Sequence, residues 1–401
     1  MKNQRVLIIG ALVVLAVAAF FFSQKQTKVS DIKVGIILGF TGPIESLTPD
    51  MASGAELAFK EATDSGELLG GANIIPVRAD STCVDSAAAS TAAEDLIAQG
   101  IVAIMGADCS GVTGAIATNV AVPNGVVMVS PSATSPALTD LDDNGLFFRT
   151  APSDARGGEV LADITKDNGV SSVAITYVNT DYGVGLADVY KAALEAHGIT
   201  VTTTTAHEGD KADYSAEVGV LSSAGGDALA VLGYLDQGGN QIIQGSLDSG
   251  AFDTFVLSDG MIGDSLTDTF GSDLDKSFGS MPGSLGEGAQ MFAKYAEENG
   301  VNPSVYVGES YDAAALIVLA MQAGESTDKS SIASNIMNVA NGPGEKIMAG
   351  ELSKGLKLLA DGKSIDYQGA TDVSFTDVGE AFGLFIEKGI ENGKFVNVSQ
   401  R

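Results

Sequence analysis

The chain has 401 residues, of which 45% are hydrophobic and 18% charged, and it carries 51 acidic residues against 22 basic ones with only two cysteines. This composition excludes a disordered chain, a collagen-like chain and a multi-cysteine scaffold, and the length favours two domains that each bury a core. The formal charge of −29 argues against a nucleic-acid partner, because phosphate binding requires clustered Lys and Arg side chains.

The N-terminal segment differs in charge from the rest of the chain. Residues 1–28 contain basic residues and no acidic ones, and the uncharged apolar run Val6–Phe22 follows a short basic start. This is the layout of a secretory signal, so we predict that the chain is exported. Ala16-Val17-Ala18 offers a cleavage pattern, but Phe20-Phe21-Phe22 follows it at once, and the run approaches the thickness of a bilayer. Residues 1–30 are therefore predicted to be a signal peptide or an uncleaved anchor plus a tether, with a buried core helix as the alternative.

From Ile32 onward, apolar β-type segments alternate with segments of helical periodicity. Such alternation indicates βαβ units and parallel sheets, and residues 32–145 and 170–280 each contain about four such units. We therefore predict an α/β protein with two doubly wound lobes. The predicted strands are Ile32–Phe40, Ile74–Ala79, Ile101–Gly106, Val126–Ser130, Val173–Val178, Val201–Ala206, Ala228–Leu232, Thr254–Leu257, Thr371–Phe375, Ala381–Glu387 and Phe395–Val398. The predicted helices are Met51–Ala62, Ser86–Gln99, Ala155–Asp167, Leu186–His197, Gln237–Asp248, Ala289–Asn299, Val305–Ala323 and Lys329–Val339.

Hydroxyl side chains follow two predicted strands of the first lobe. Ser110 lies after the third strand at the start of a helix, and Ser132 and Thr134 lie after the fourth strand in a loop flanked by two prolines. Ligands of open parallel sheets bind outside the carboxyl ends of the strands. Hydroxyls with neighbouring N–H groups can hold a carboxylate there, although ordinary capping and turn chemistry is the alternative for any single serine.

Aromatic and acidic side chains follow the strands of the second lobe. Tyr182 and Tyr234 can close over a ligand, and Asp259 can supply the negative charge that an ammonium group prefers. A carboxylate opposite a helix N-terminus suits an α-amino acid. The alternative for Asp259 is a solvated group in an ordinary Asp-Gly turn.

The two cysteines, Cys83 and Cys109, follow the second and third predicted strands. In an exported chain this placement predicts a disulfide, on the assumption that the two strands are neighbours. A metal site is the alternative, but the two histidines, His197 and His207, have no ligand spacing. We predict neither a metal nor a cofactor.

Several short motifs, many of them at these strand ends, are distributed along the chain. They are Ile32-Lys33-Val34-Gly35, Thr41-Gly42-Pro43, Asp80-Ser81-Thr82-Cys83, Gly106-Ala107-Asp108-Cys109-Ser110, the segment from Met128 to Thr139, Phe148-Arg149-Thr150, the segment from Asp181 to Gly185, and Tyr311-Asp312-Ala313. Together they resemble the solute-binding proteins of branched-chain amino acid ABC transporters, the leucine/isoleucine/valine-binding family of type I periplasmic receptors. The resemblance covers about residues 32–390.

This resemblance implies a role for each candidate residue. The ligand carboxylate is expected to bind Ser110 and Thr134, with the backbone around Ser132 assisting. The α-ammonium is expected to bind Asp259. Tyr182 and Tyr234 are expected to cover the ligand. Leu47 and Tyr311 are further candidates for ligand contact. The segment Ile44–Thr48 lacks the aromatic residue that the family has there, so the selectivity for the ligand side chain stays open.

The family fold also implies three crossings between the lobes, which we expect near Thr150, Pro282 and Thr376. The first lobe is then predicted to comprise residues 31–150 and 283–376, and the second lobe residues 151–282 and 377–401. The resemblance further implies a monomer in the periplasm or on the outer face of the cytoplasmic membrane, with ABC permease subunits as partners.

Three classes of function are considered. The first is a binding protein that captures a branched-chain or other small neutral amino acid and delivers it to a permease. The second is a ligand-sensing receptor, or a binder of urea or short amides, on the same fold. The third is a hydrolase or a nucleotide-using enzyme. The absence of Gly-x-Ser-x-Gly and Gly-x-Gly-x-x-Gly motifs argues against the enzyme.

Overall fold

Two large sheets organise the chain in a computed structural model that describes residues 30–401. The first sheet has the strand order β13-β5-β4-β3-β1-β2, and the second has the order β15-β14-β10-β9-β8-β6-β7. Neighbouring strands are parallel in both sheets, except that β14 runs antiparallel to both β10 and β15. The predicted α/β class with two doubly wound lobes is confirmed, and we call the parts built on the two sheets the first and the second lobe.

The strands β1 to β15 in chain order are Asp31–Leu38, Asn73–Asp80, Ala103–Gly106, Val127–Ser130, Phe147–Pro152, Ser172–Val178, Thr200–His207, Ala228–Leu232, Phe255–Leu257, Phe278–Pro282, Glu345–Met348, Ile365–Gly369, Glu380–Ala381, Phe385–Glu391 and Lys394–Gln400. The helices α1 to α12 are Thr48–Ser65, Ser86–Ala98, Ser110–Ile116, Asp154–Asp167, Asp181–Ala196, Ser215–Ala224, Gly239–Ser249, Asp264–Phe270, Glu287–Glu298, Val307–Ala323, Lys329–Ala340 and Leu352–Ala360. Strands β11 and β12 form a separate pair.

Central strands are apolar throughout because helices cover both faces of each sheet. Every residue of β4 and of β8 is buried. Helix α10 is buried on nearly all sides and packs against α1 and α11. Within the described residues, no helix is both long enough and apolar enough to cross a membrane. The predicted signal or anchor at Val6–Phe22 lies outside the described residues.

Some predicted elements differ from the structure. The segment Thr371–Phe375 is not a strand, and only Phe375 forms an isolated bridge, to Ala381. Strand Glu380–Ala381 pairs with β5 of the first sheet, so the third crossing lies between Ala381 and Phe385. The crossing predicted near Thr376 is therefore wrong by several residues. The remaining lobe bounds stay a prediction.

The predicted disulfide between Cys83 and Cys109 is present, with sulfur atoms 2.04 Å apart. The assumption that its two strands are neighbours is wrong, because β1 lies between β2 and β3. The bridge therefore passes over the end of β1 at Gly39. A Cβ on Gly39 would come within 3.1 Å of the Cys83 Cβ, so the absence of a side chain there makes room for the bridge.

Arg149 on β5 joins three segments of the first lobe. Its side chain is only 1% exposed, and it donates to the carbonyl oxygens of Ala133 at 3.0 Å and Ser135 at 2.9 Å. It also donates to the Thr139 hydroxyl and the Glu380 carboxylate. The guanidinium thus fixes the Pro-flanked loop that carries the predicted ligand residues.

We expect Arg149→Met to lower the free energy of unfolding by about 3 kcal/mol or more, because it removes the buried cation that pairs with Glu380 and donates to two loop carbonyls. Arg78→Met is the matched control, since Arg78 pairs with Glu56 at a half-exposed site where about 1 kcal/mol or less is expected. Urea unfolding measures both variants. Equal losses for the two would contradict the structural role of Arg149.

Candidate functional site

A small cavity lies where the carboxyl ends of the strands of both lobes face each other. Its volume is about 20 Å³, which is room for about one water molecule. Both lobes contribute to its wall. The lining residues are Ile44, Leu47, Met51, Asp108, Cys109, Ser110, Ser132, Tyr182, Tyr234, Asp259, Gly260 and Tyr306.

Of the three predicted first-lobe hydroxyl residues, Ser110 and Ser132 line the cavity, whereas Thr134 does not belong to its wall. The Ser110 hydroxyl accepts from the backbone N–H of Ser135 at 3.1 Å, so its own proton remains available to a ligand acceptor. The Ser132 hydroxyl donates to the carbonyl oxygen of Asp108 at 3.1 Å, and its backbone N–H donates to the Ser130 hydroxyl at 3.4 Å, so both of its donors already have acceptors. The Thr134 hydroxyl is buried and has no hydrogen-bond partner within residues 30–401.

Asp108 supports this side of the site and was missed in the sequence. Its buried carboxylate accepts from the Gly39 N–H at 2.6 Å and from the Ser81 hydroxyl at 3.0 Å. These bonds join the ends of β1, β2 and β3. Burial raises the pKa of Asp108, and the hydrogen bonds partly oppose that rise.

The second lobe supplies a pair of stacked tyrosines. The rings of Tyr182 and Tyr234 lie 5.2 Å apart between centroids, with 19° between their planes. Tyr182 belongs to the first turn of α5, where the Thr180 side chain caps the helix by accepting from the Gly183 N–H. The helix start thus directs one aromatic ring at the cavity.

Asp259 connects the two lobes. It begins a short helical turn after β9, and one carboxylate oxygen accepts from the Tyr182 hydroxyl at 2.6 Å. The other oxygen accepts from the hydroxyl of Tyr306, which directly precedes α10 in the first lobe. One carboxylate therefore receives a tyrosine hydroxyl from each side of the cleft.

The sequence did not indicate Tyr306, because this residue follows no strand. It has a left-handed backbone conformation with φ of 62° between a loop and the apolar helix α10. Tyr311, a further candidate for ligand contact, lies in the first-lobe core. Its hydroxyl donates to Glu61 and accepts from the Gly350 N–H, so the expectation that it contacts the ligand is wrong. Leu47, the other added candidate, lines the cavity.

A second carboxyl lies close to Asp259. Asp154, at the start of α4, is 3% exposed, and its Oδ2 has no hydrogen-bond partner in the described part of the chain. Burial and the charge of Asp259 raise the pKa of Asp154 well above its ordinary value. The Thr134 hydroxyl lies near enough to oppose this rise, although the pair does not reach hydrogen-bond geometry.

The electrostatics of the site favour a cation. Burial raises the pKa of Asp259, and the hydroxyls of Tyr182 and Tyr306 oppose that rise. Burial and the negative charge of Asp259 raise the pKa of both tyrosines, so they stay protonated donors. Neither Asp154 nor Asp259 forms an ion pair with a residue of the described chain. An ammonium group from a ligand would supply the missing positive charge.

Metal chemistry is not indicated at this site. Across residues 30–401, the histidine, cysteine, aspartate and glutamate side chains form no group of three or more that could hold a metal ion. The two cysteines are joined to each other. The site therefore offers hydroxyls, backbone N–H groups, aromatic faces and two carboxyls as its recognition groups.

Comparisons with known proteins identify relatives of this chain. A family model described as "Periplasmic binding protein" matches residues 31–348. The Leu/Ile/Val-binding protein homolog 1 of Brucella melitensis is 30% identical over 313 residues, which cover 76% of this chain and 81% of that protein. Homolog 3 of the same organism is 35% identical over 214 residues, which cover 52% of this chain and only 56% of that protein.

The fold is also shared with a solved structure. The branched-chain amino acid transporter substrate-binding protein LivJ of Streptococcus pneumoniae, in complex with isoleucine, superposes with a TM-score of 0.77 at 20% identity. The superposition covers 93% of this chain and 99% of that chain. At this identity the likeness concerns the fold.

We expect Asp154→Asn to stabilise the ligand-free protein at pH 7 by about 1–2 kcal/mol, because it removes an unpaired buried carboxyl. The pKa of Asp154 is higher in the folded than in the unfolded state, so its contribution to stability is present below the ordinary Asp pKa of about 3.9 and is lost as pH rises above it. The gain should therefore disappear near pH 4.

Calorimetric melting temperatures at pH 4 and pH 7 measure this effect. Asp188→Asn is the matched control, since Asp188 lies on an exposed face of α5. If Asp154→Asn is no more stable than wild type at pH 7, another group stabilises the Asp154 carboxyl in the folded protein, and the prediction is wrong.

Proposed function

This chain belongs to the periplasmic binding protein family, and on that premise we propose that it is the extracytoplasmic substrate-binding component of an ABC transporter. It captures a small neutral amino acid between its two lobes and delivers it to the permease. The observation that carries the proposal is the buried Asp259 carboxylate, which accepts hydroxyls from both lobes and has no cation among its described partners. It is a binding protein and not an enzyme.

Each part of an α-amino acid has a partner in the site. The α-ammonium binds Asp259 and has Asp154 as a second nearby carboxyl. The carboxylate accepts from the hydroxyls of Ser110 and Thr134, whose protons are not committed to acceptors in the described chain. A buried hydroxyl without a partner is costly, so a ligand carboxylate at Thr134 stabilises the site.

The side-chain end of the site is apolar. Ile44, Leu47 and Met51 line the cavity beside the Tyr306 ring, and they replace the aromatic residue that the family has after its Gly-Pro turn. Aliphatic walls favour a branched or short aliphatic side chain. The stacked rings of Tyr182 and Tyr234 cover the ligand from the second lobe.

Ligand entry requires the lobes to separate. The cavity holds about one water molecule, which is far too small for an amino acid. Opening at the three crossings admits the ligand, and closure then replaces a tyrosine–carboxylate contact by ligand contacts from both lobes. The ligand favours closure only by the difference between its affinities for the closed and open forms.

The family places this function outside the cytoplasm. We propose that the apolar segment 6–22 exports the chain or holds it at the outer face of the membrane, and that the protein acts as a monomer that docks on permease subunits. The two buried carboxyls favour an ammonium over the neutral groups of urea or a short amide, so these ligands are disfavoured.

We expect L-leucine, L-isoleucine or L-valine to bind with a measurable calorimetric heat, and Asp259→Asn to weaken that binding by about 100-fold, because a charge-assisted hydrogen bond to the ammonium is lost. Isothermal titration measures both. The control is Asp268→Asn, an exposed acid on α8, which should leave the affinity unchanged.

Two outcomes would overturn the proposal. One is an unchanged affinity in Asp259→Asn, which would remove the ammonium role of this residue. The other is a ligand panel in which urea, propionamide or benzoate binds while all neutral amino acids fail, which would assign another ligand class to the cleft.

A further inference from the structure

A second, larger groove lies between the lobes beside the crossing segments. Its volume is about 720 Å³, within the range of small-molecule sites. Helix α9 and the start of α10 line it from the first lobe, and β10, β14 and β15 line it from the second. Leu47 lines both this groove and the small cavity, so the two are neighbours with separate polar groups.

Glu309 occupies the inner end of this groove. It lies on α10, is 3% exposed, and its carboxyl makes no hydrogen bond or ion pair with any residue of the described chain. Burial, with a smaller effect from Asp312, raises its pKa to about 8. The position that a Cβ on Gly283 would take is 3.9 Å from Glu309 Oε1 and 3.0 Å from Ile386 Cδ1, so the carboxyl lies beside Ile386.

Lys388 lies further along the same groove. It follows Ile386 by two residues on β14, so the two side chains point to the same face, about 6.8 Å apart along the strand. The ammonium donates to Asn397 Oδ1 at 2.6 Å. Burial lowers the pKa of Lys388, and Asp264 opposes that effect. In residues 30–401, Lys388 has no ion pair.

The groove thus contains a buried acid, Glu309, and a half-buried base, Lys388, that do not pair with each other. Apolar groups lie with them, among them Met281, Phe292 and Ile386. A charge that has lost its water is stabilised by an opposite charge at hydrogen-bond distance. A ligand that carries both charges can supply both partners at once.

We propose that this groove is a second ligand site, which takes a zwitterion whose ammonium and carboxylate are separated by an apolar body, as in a short apolar peptide with free termini. The ammonium binds Glu309, the carboxylate binds Lys388, and the apolar body lies against Ile386. The two charged groups of an α-amino acid share one carbon atom, whereas Glu309 lies beside Ile386 and Lys388 lies about 6.8 Å further along β14.

This site differs from the amino acid site in its residues and in its ligand, and it does not depend on Asp259. Because both lobes line the groove, a ligand there contacts both and changes the balance between open and closed forms by its difference in affinity for them.

Isothermal titration of the full chain with leucyl-leucine tests the proposal. We expect binding to the wild type, at least a tenfold loss of affinity in Glu309→Gln and in Lys388→Gln, and no change in Lys346→Gln, which alters an exposed strand lysine. Asp259→Asn should retain the peptide affinity. N-acetyl-leucyl-leucinamide, which lacks both charges, should bind at least tenfold more weakly.

Three results would overturn the proposal. They are no binding of leucyl-leucine at millimolar concentration, equal binding of the uncharged analogue, and loss of binding in Asp259→Asn without loss in the groove variants, which would place the peptide in the amino acid cleft. Thermal unfolding checks that Glu309→Gln folds, and Lys388→Gln tests the groove independently because its side chain is only half-buried.

Discussion

The burial of the Asp259 carboxylate between the lobes is the constraint on which the rest of the site depends. A carboxylate removed from water needs hydrogen-bond donors or a positive charge. Here the hydroxyls of Tyr182 and Tyr306 supply donors from opposite lobes, while the charge of Asp259 helps to raise the pKa of the neighbouring Asp154 carboxyl. The closed cleft is therefore short of positive charge, and the ammonium of an amino acid supplies it.

The first lobe provides the rigidity that this arrangement requires. Arg149 holds the carbonyls on both sides of Thr134, and Asp108 ties the strand ends on the other side of the cavity. The Cys83–Cys109 disulfide crosses the end of β1 and joins the segments after β2 and β3. Hydroxyls that are fixed in this way lose little conformational freedom when a ligand binds, which favours affinity.

Much of the fold could be predicted from local patterns, and part of the site could not. Runs of Val and Ile mark buried parallel strands, and the polar residues after them, such as Ser110 and Asp259, lie at the cleft because parallel strands end at one edge. Tyr306 precedes a helix and reaches the cleft only through the packing of α10, so local sequence does not mark it. Tyr311 lies in the following turn of that helix and points into the core, where its hydroxyl meets Glu61. The unpaired state of Asp154 depends on contacts between distant segments, which no single-sequence pattern encodes.

The central claim is that the ammonium of the ligand is recognised by the buried acids of the cleft. The most direct measurement compares, by calorimetry, the affinity for the best-binding aliphatic amino acid with that for its analogue lacking the amino group, such as L-leucine with 4-methylpentanoate. The account predicts that the analogue binds at least about 100-fold more weakly, because its binding leaves Asp259 without a cation in a closed cleft. Equal affinities for the two ligands would contradict it.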